Sequence, residues 1–110
     1  IHSSKDLTNE IESMITSAEI PYKRGIHWTT DAGYRETWGQ VMDYRDKGAL
    51  CVEMEGVGLF TIANYRKCVA TGIYVVSDVY SENDWKLGWE GNDIKRAVGA
   101  VIDMIIESIR

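Results

Sequence analysis

Residues 52–56 read VEMEG, which sets Glu53 and Glu55 on either side of Met54 and closes with Gly56. The apolar run Ala49-Leu50-Cys51-Val52 stands directly before them. A strand directed into a core cannot hide two acids without partners or a ligand, because a buried charge that is neither paired nor hydrogen-bonded is costly. A third acid, Asp78, follows Ser77 at the end of another apolar run, VATGIYVV (69–76), and lies 23 residues beyond Glu55. Carboxylates in such places accept hydrogen bonds or carry protons. Plainer roles exist for each. Glu53 could be a solvated strand-end acid, Met54 core filler, Glu55 a helix N-terminal residue stabilised by the macrodipole, and Asp78 a turn acid.

The elements that would position these residues follow from periodicity. Leu7, Ile11, Met14, Ile15 and Ala18 fall at helical spacing between Lys5 and Glu19, with Ser3 or Ser4 as N-cap and Pro21 closing the helix. Residues 22–30 read as an aromatic and β-branched strand that enters the polar turn TTDAG (29–33). A second helix is expected over 34–47, with Gly48 at its C′ position. A strand over 49–54 and a helix over 56–67 follow, the latter offering Val57, Phe60, Ile62, Ala63 and Tyr65 for burial. The run 69–76 reads as a strand buried on both faces of a parallel sheet. A polar loop holding Trp85 and Trp89 then leads to a last helix over 92–109, with Ile94, Ala97, Val98, Val101, Ile102, Ile105 and Ile109 as its apolar stripe.

Strands alternating with helices predict an α/β sheet with parallel neighbours. The unit 49–78 is a strand–helix–strand crossover, which returns the chain parallel and ends both strands at one edge of the sheet. Ligands bind outside that edge in open α/β sheets, so Glu53, Glu55 and Asp78 are expected to converge there.

Composition narrows the partners. With 110 residues, 45% hydrophobic and 26% charged, the chain is ordinary globular protein of one domain's size. The net charge of -5 argues against nucleic acid or an anionic membrane as the main partner. No apolar run approaches the roughly 20 residues needed to cross a bilayer. Cys51 and Cys68 read as reduced core cysteines, and His2 and His27 are too few for a zinc site, so no metal is expected. His27 shows no chemical partner in the sequence. Three strands and four helices would leave sheet edges and helix faces uncovered. The chain also starts at Ile1 without an initiator methionine, and is expected to be a piece of something longer.

The stretch VEMEGVGLFTIANYRKCVATGIYVVSD, preceded by TTDAGYRET, closely resembles the C-terminal half of the nucleoside phosphorylase and nucleosidase superfamily. The resemblance implies a three-layer α/β/α fold with a twisted sheet, of which residues 1–110 form a single, incomplete C-terminal part. It implies cleavage of the N-glycosidic bond of a purine nucleoside through an oxocarbenium-like transition state, with inorganic phosphate as co-substrate and no other cofactor. Glu55 matches the glutamate that accepts hydrogen bonds from the ribose 2′- and 3′-hydroxyls, and Met54 the methionine that packs on the sugar. Glu53 takes a supporting place near the ribose. Asp78 matches the acid that hydrogen-bonds or protonates the purine at N7, and Ser77 orients it. Since aspartates are ordinarily ionised at neutral pH, proton donation requires surroundings that hold the acid form.

The sequence also departs from the family. Where relatives carry a bulky residue walling the base pocket, Gly33 stands here with Tyr34 next, so Tyr34 becomes the stacking candidate. Trp85 and Trp89 could form a lid or anchor their loop; Lys86 and Arg96 could meet a phosphate or lie in solvent; Trp28 and Trp38 read as core or interface residues. No Gly-rich anion loop is present. The family's phosphate loop and arginines are expected in a segment before Ile1, and a neighbouring subunit often completes the site, which implies a cytoplasmic homo-oligomer. Two alternatives stay open: a hydrolytic nucleosidase that uses water in place of phosphate, and a non-catalytic module that binds nucleosides or only oligomerises.

Overall fold

The computed structural model describes residues 1–33, 37–81, 84–87 and 92–110, with the backbone alone described at 80–81 and 84–87. In chain order the elements are α1 (Lys5–Ser17), β1 (Ile26–Thr29), α2 (Trp38–Asp46), β2 (Ala49–Glu53), α3 (Gly56–Tyr65), β3 (Asp78–Ser81), β4 (Asp84–Leu87) and α4 (Asn92–Ser108). The fold class is mixed α/β with a small parallel sheet. The chain divides into two compact units, one of residues 1–7 and 23–72 and one of 8–22 and 73–110.

In the first unit, β1 and β2 run parallel, and Thr29 stands opposite Glu53 at their carboxyl ends. The Thr30 amide donates to the Glu53 carbonyl at 2.8 Å and extends the ladder past that pair. α2 begins where the Thr37 hydroxyl accepts the Gln40 amide at 3.1 Å, an N-cap bond that satisfies one orphan donor. It ends before Gly48, whose φ of 90° is the left-handed conformation a C′ residue needs. Trp28 of β1 stacks on Tyr44 of α2, with ring centroids 4.5 Å apart and planes 10° from parallel. α3 buries Gly56 and Phe60, and Phe60 lies edge-tilted against His27 at 6.2 Å. The other apolar residues of α3 were expected inside; Val57, Ile62 and Tyr65 are instead exposed, and Ala63 is half-buried. The reason is contact: α3 packs on β1 through the face that carries Gly56 and Phe60, and the residues away from it are left more exposed.

α1 starts with the Ser4 hydroxyl accepting the Leu7 amide at 3.3 Å, as its sequence predicts. It ends earlier than Pro21 requires. Glu19 takes a left-handed φ of 55° and the Ile20 amide reaches back to the Ile15 carbonyl at 3.2 Å, a Schellman closure. α3 closes the same way around Lys67, with Cys68 donating to Ala63 at 2.9 Å. Local hydrogen bonding, not the downstream proline, thus stops α1.

The second unit holds an antiparallel hairpin, β3–β4, which pairs Asp78 with Leu87 and Ser81 with Asp84. A polar loop is what the sequence predicts there. In α4 the half-buried apolar residues are Ile94, Ala97, Val101 and Met104, whereas Val98, Ile102 and Ile105, and Ile109 just past its end, are exposed.

One expectation fails more fully. The run 69–76 belongs to neither sheet, although it carries the most apolar strand signal in the chain. Its side chains alternate between half-buried and exposed from Gly72 to Val76, and Val69 and Val76 are 71% and 59% exposed. Apolar composition favours a buried strand but cannot supply the neighbouring backbone groups that make one. The second strand of the expected crossover is therefore not formed.

Candidate functional site

The site in the first unit begins with Glu53, whose side chain is only 8% exposed. The solvated strand-end reading does not hold for it. Its Oε1 accepts the Thr29 hydroxyl and faces His27 Nε2 at 3.3 Å. Its Oε2 accepts the Glu55 amide at 2.6 Å and the Gly56 amide as well. Thr29 has a second bond, because its Oγ1 accepts the Val57 amide at 3.0 Å. The carboxylate of β2 thus caps the start of α3 in place of Glu55, which stands at the N-cap position but makes no side-chain cap bond. A Cβ at Gly56 would lie 2.6 Å from Glu53 Oε1 and 2.9 Å from His27 Nε2, so the backbone comes this close to the acid because glycine is there.

Burial by itself disfavours the Glu53 charge. The Thr29 hydroxyl, the Gly56 and Glu55 amides and the neighbouring His27 outweigh that and hold the carboxyl below its ordinary value. A carboxyl whose pKa is depressed in the folded state stabilises the fold above its unfolded value and loses that contribution as pH falls through the folded one. Replacing Glu53 with glutamine should therefore cost about 1.5–3 kcal/mol at neutral pH, the range for hydrogen bonds to a charged group. Denaturant melts of both proteins, run from neutral pH to well below the ordinary carboxyl range, check the sign. The gap should close as pH falls, and a constant gap would contradict it.

Beyond this clamp stand Met54, 56% exposed, and the exposed Glu55. The Met54 amide donates to Glu55 Oε2 at a long 3.3 Å. The tip therefore offers one apolar surface and one acceptor group on a backbone fixed from behind. Cys51 is half-buried and free; burial, and secondarily the charge of Glu53, push its thiol up, which favours the protonated thiol over the thiolate. Cys68 is free but exposed, not a core residue.

In the second unit Asp78 opens β3 and is half-buried, and the Ser77 hydroxyl donates to its Oδ1 at 2.6 Å. Arg96 pairs with Asp93 at 2.7 Å on an exposed turn of α4. Tyr34, Trp89 and the side chains of Trp85 and Lys86 lie outside the described residues. Among the described residues no three His, Cys, Asp or Glu side chains group as metal ligands, and no helix is long and apolar enough to cross a membrane.

Sequence reasoning missed Thr29 and His27. Both lie on β1, and only the register of β1 on β2 brings them to Glu53. The available signal is the first threonine of the polar TTDA turn, Thr29.

The clamp and the Met-Glu tip lie at the carboxyl end of a parallel pair, the edge outside which open α/β sheets bind ligands. The chain matches the phosphorylase superfamily over residues 1–107 and belongs to that family. Among curated proteins it is similar to a DeoD-type purine nucleoside phosphorylase of Exiguobacterium sp. strain AT1b, at 34% identity over 66% of this chain and 31% of the relative. A DeoD-type purine nucleoside phosphorylase of Exiguobacterium sibiricum is 33% identical over 69% of this chain and 32% of the relative. The alignments thus span about a third of the length of these curated relatives. No solved structure matches the chain significantly.

Proposed function

We propose that this chain is the nucleoside-recognising part of a purine nucleoside phosphorylase, and that it works within a larger three-layer α/β/α catalytic domain. The observation that carries the reading is the exposed Met54–Glu55 tip, held by the Glu53 clamp at the carboxyl end of β2. Family membership and the likeness to two DeoD-type purine nucleoside phosphorylases support it.

Glu55 accepts hydrogen bonds from the ribose 2′- and 3′-hydroxyls, and Met54 packs against the sugar. Glu53 acts behind them by fixing their backbone. Asp78, oriented by Ser77, donates a proton to purine N7 as the C1′–N9 bond breaks and its electron pair passes to the base. An oxygen of inorganic phosphate then bonds to C1′. Tyr34 serves the base side of the site. No cofactor is needed beyond phosphate as co-substrate, and the working protein is a cytoplasmic homo-oligomer.

The test is phosphate dependence. With the full-length gene product, inosine and adenosine should release free base and ribose 1-phosphate when inorganic phosphate is added, and release nothing without it. Base release at equal rates in phosphate-free buffer would replace phosphorolysis with hydrolysis. Absence of both release and saturable nucleoside binding would leave a non-catalytic module.

A further inference from the structure

Thr29 has no part in the chemistry just described, yet it joins three elements at one atom. Its Oγ1 donates to Glu53 of β2 and accepts the Val57 amide of α3 at 3.0 Å, while its own backbone lies in β1. The polarity is forced. Since the Val57 amide can only donate, the hydroxyl proton is left to Glu53, and an apolar side chain such as valine can satisfy neither bond.

We propose that Thr29 is the positioning residue of the nucleoside-binding tip: its hydroxyl orients the Glu53 carboxylate, and that carboxylate fixes the Glu55 and Gly56 amides from which Glu55 reaches the sugar. This rests on the reading of Glu55 as the ribose acceptor. Glu53 has two oxygens and three donors on them: the Thr29 hydroxyl on one, beside His27 Nε2 at 3.3 Å, and the Glu55 and Gly56 amides on the other. Without the hydroxyl, Oε1 keeps only His27, and the carboxylate is free to rotate toward it. Rotation lengthens the bonds from Oε2 to the two amides, and the turn carrying Glu55 loosens. The Val57 amide lies in the first turn of α3 and is one bond among those that hold the helix start, so the loss falls on the geometry of the tip more than on the stability of α3.

The experiment measures adenosine and adenine affinity by calorimetry for the full-length gene product and for Thr29→Val, Thr29→Ser, Glu55→Ala and the Thr29→Val/Glu55→Ala double variant. Thr29→Val should weaken adenosine binding about tenfold, the size expected for one hydrogen bond to a charged group, and leave adenine unchanged. Thr29→Ser, which keeps the hydroxyl, should bind as the parent does. In the Glu55→Ala background Thr29→Val should add nothing, because the residue it positions is gone. Unchanged adenosine affinity in Thr29→Val overturns the proposal, and so does an equal loss in both backgrounds or a Thr29→Ser variant as weak as Thr29→Val. If instead Glu55→Ala alone binds adenosine normally, the ribose reading itself falls. Should Thr29→Val not fold, amide hydrogen exchange of the parent protein decides: the Glu55 and Gly56 amides should be protected although Glu55 is exposed, and exchange at open-chain rates overturns the clamp.

Discussion

Turnover of a purine nucleoside should fall by about 10²–10⁴-fold when Asp78 becomes asparagine, the usual contribution of a positioned proton donor, while nucleoside affinity stays within a few-fold. The substitution is chosen for what it keeps. Asparagine has the same size and retains a side-chain oxygen able to accept the Ser77 hydroxyl, which now donates to Asp78 Oδ1 at 2.6 Å. Orientation at the start of β3 is thereby preserved, and the acid proton alone is removed. If Asp78 only hydrogen-bonded the base, the asparagine amide could still donate to N7 and turnover would survive. Single-turnover kinetics beside steady-state rates separate the chemical step from binding and product release. Unchanged turnover would remove the general-acid role from Asp78.

What the sequence disclosed, and what it hid, divides along the range of the interaction. The helices were legible because their signals are local: Ser4 ahead of α1, Gly48 after α2, and the 3.6-residue recurrence of Leu7, Ile11, Met14 and Ile15. β1 and β2 were legible for a similar reason, though β1 is shorter than the aromatic run suggested. Pairing was not legible. The run 69–76 has the composition of a central strand and no place in either sheet, whereas β3 and β4, in a more polar stretch, pair antiparallel. At the site, the spacing singled out Glu53, Met54 and Glu55 but could not rank the two glutamates by environment. That ranking depends on Thr29 and His27, which reach Glu53 only through the parallel register. A local pattern can nominate an acid; the neighbouring strand decides whether it faces inward or outward.

The same distinction yields the second large effect. Glu55→Ala should weaken purine nucleoside binding by about 10–100-fold, since hydrogen bonds to a charged group contribute about 1.5–3 kcal/mol and each 1.4 kcal/mol is tenfold in affinity. Affinity for the free base should not change, because the base meets other groups. The fold should be nearly indifferent: Glu55 is exposed, makes no cap bond to α3, and its one described side-chain bond is the 3.3 Å contact with the Met54 amide. Exchanging that long contact for two sugar hydroxyls costs little, and this is what makes the group available to a ligand. Glu53 presents the opposite case, with its carboxylate buried, engaged by three donors and faced by His27. The two acids are therefore separable by experiment. Calorimetric titration with nucleoside and with free base, run beside thermal melts, should show Glu55→Ala losing affinity at constant stability and Glu53→Gln losing stability first. A Glu55→Ala protein with parental nucleoside affinity would take the ribose role away from the tip, leaving the clamp behind it as a device of the fold alone.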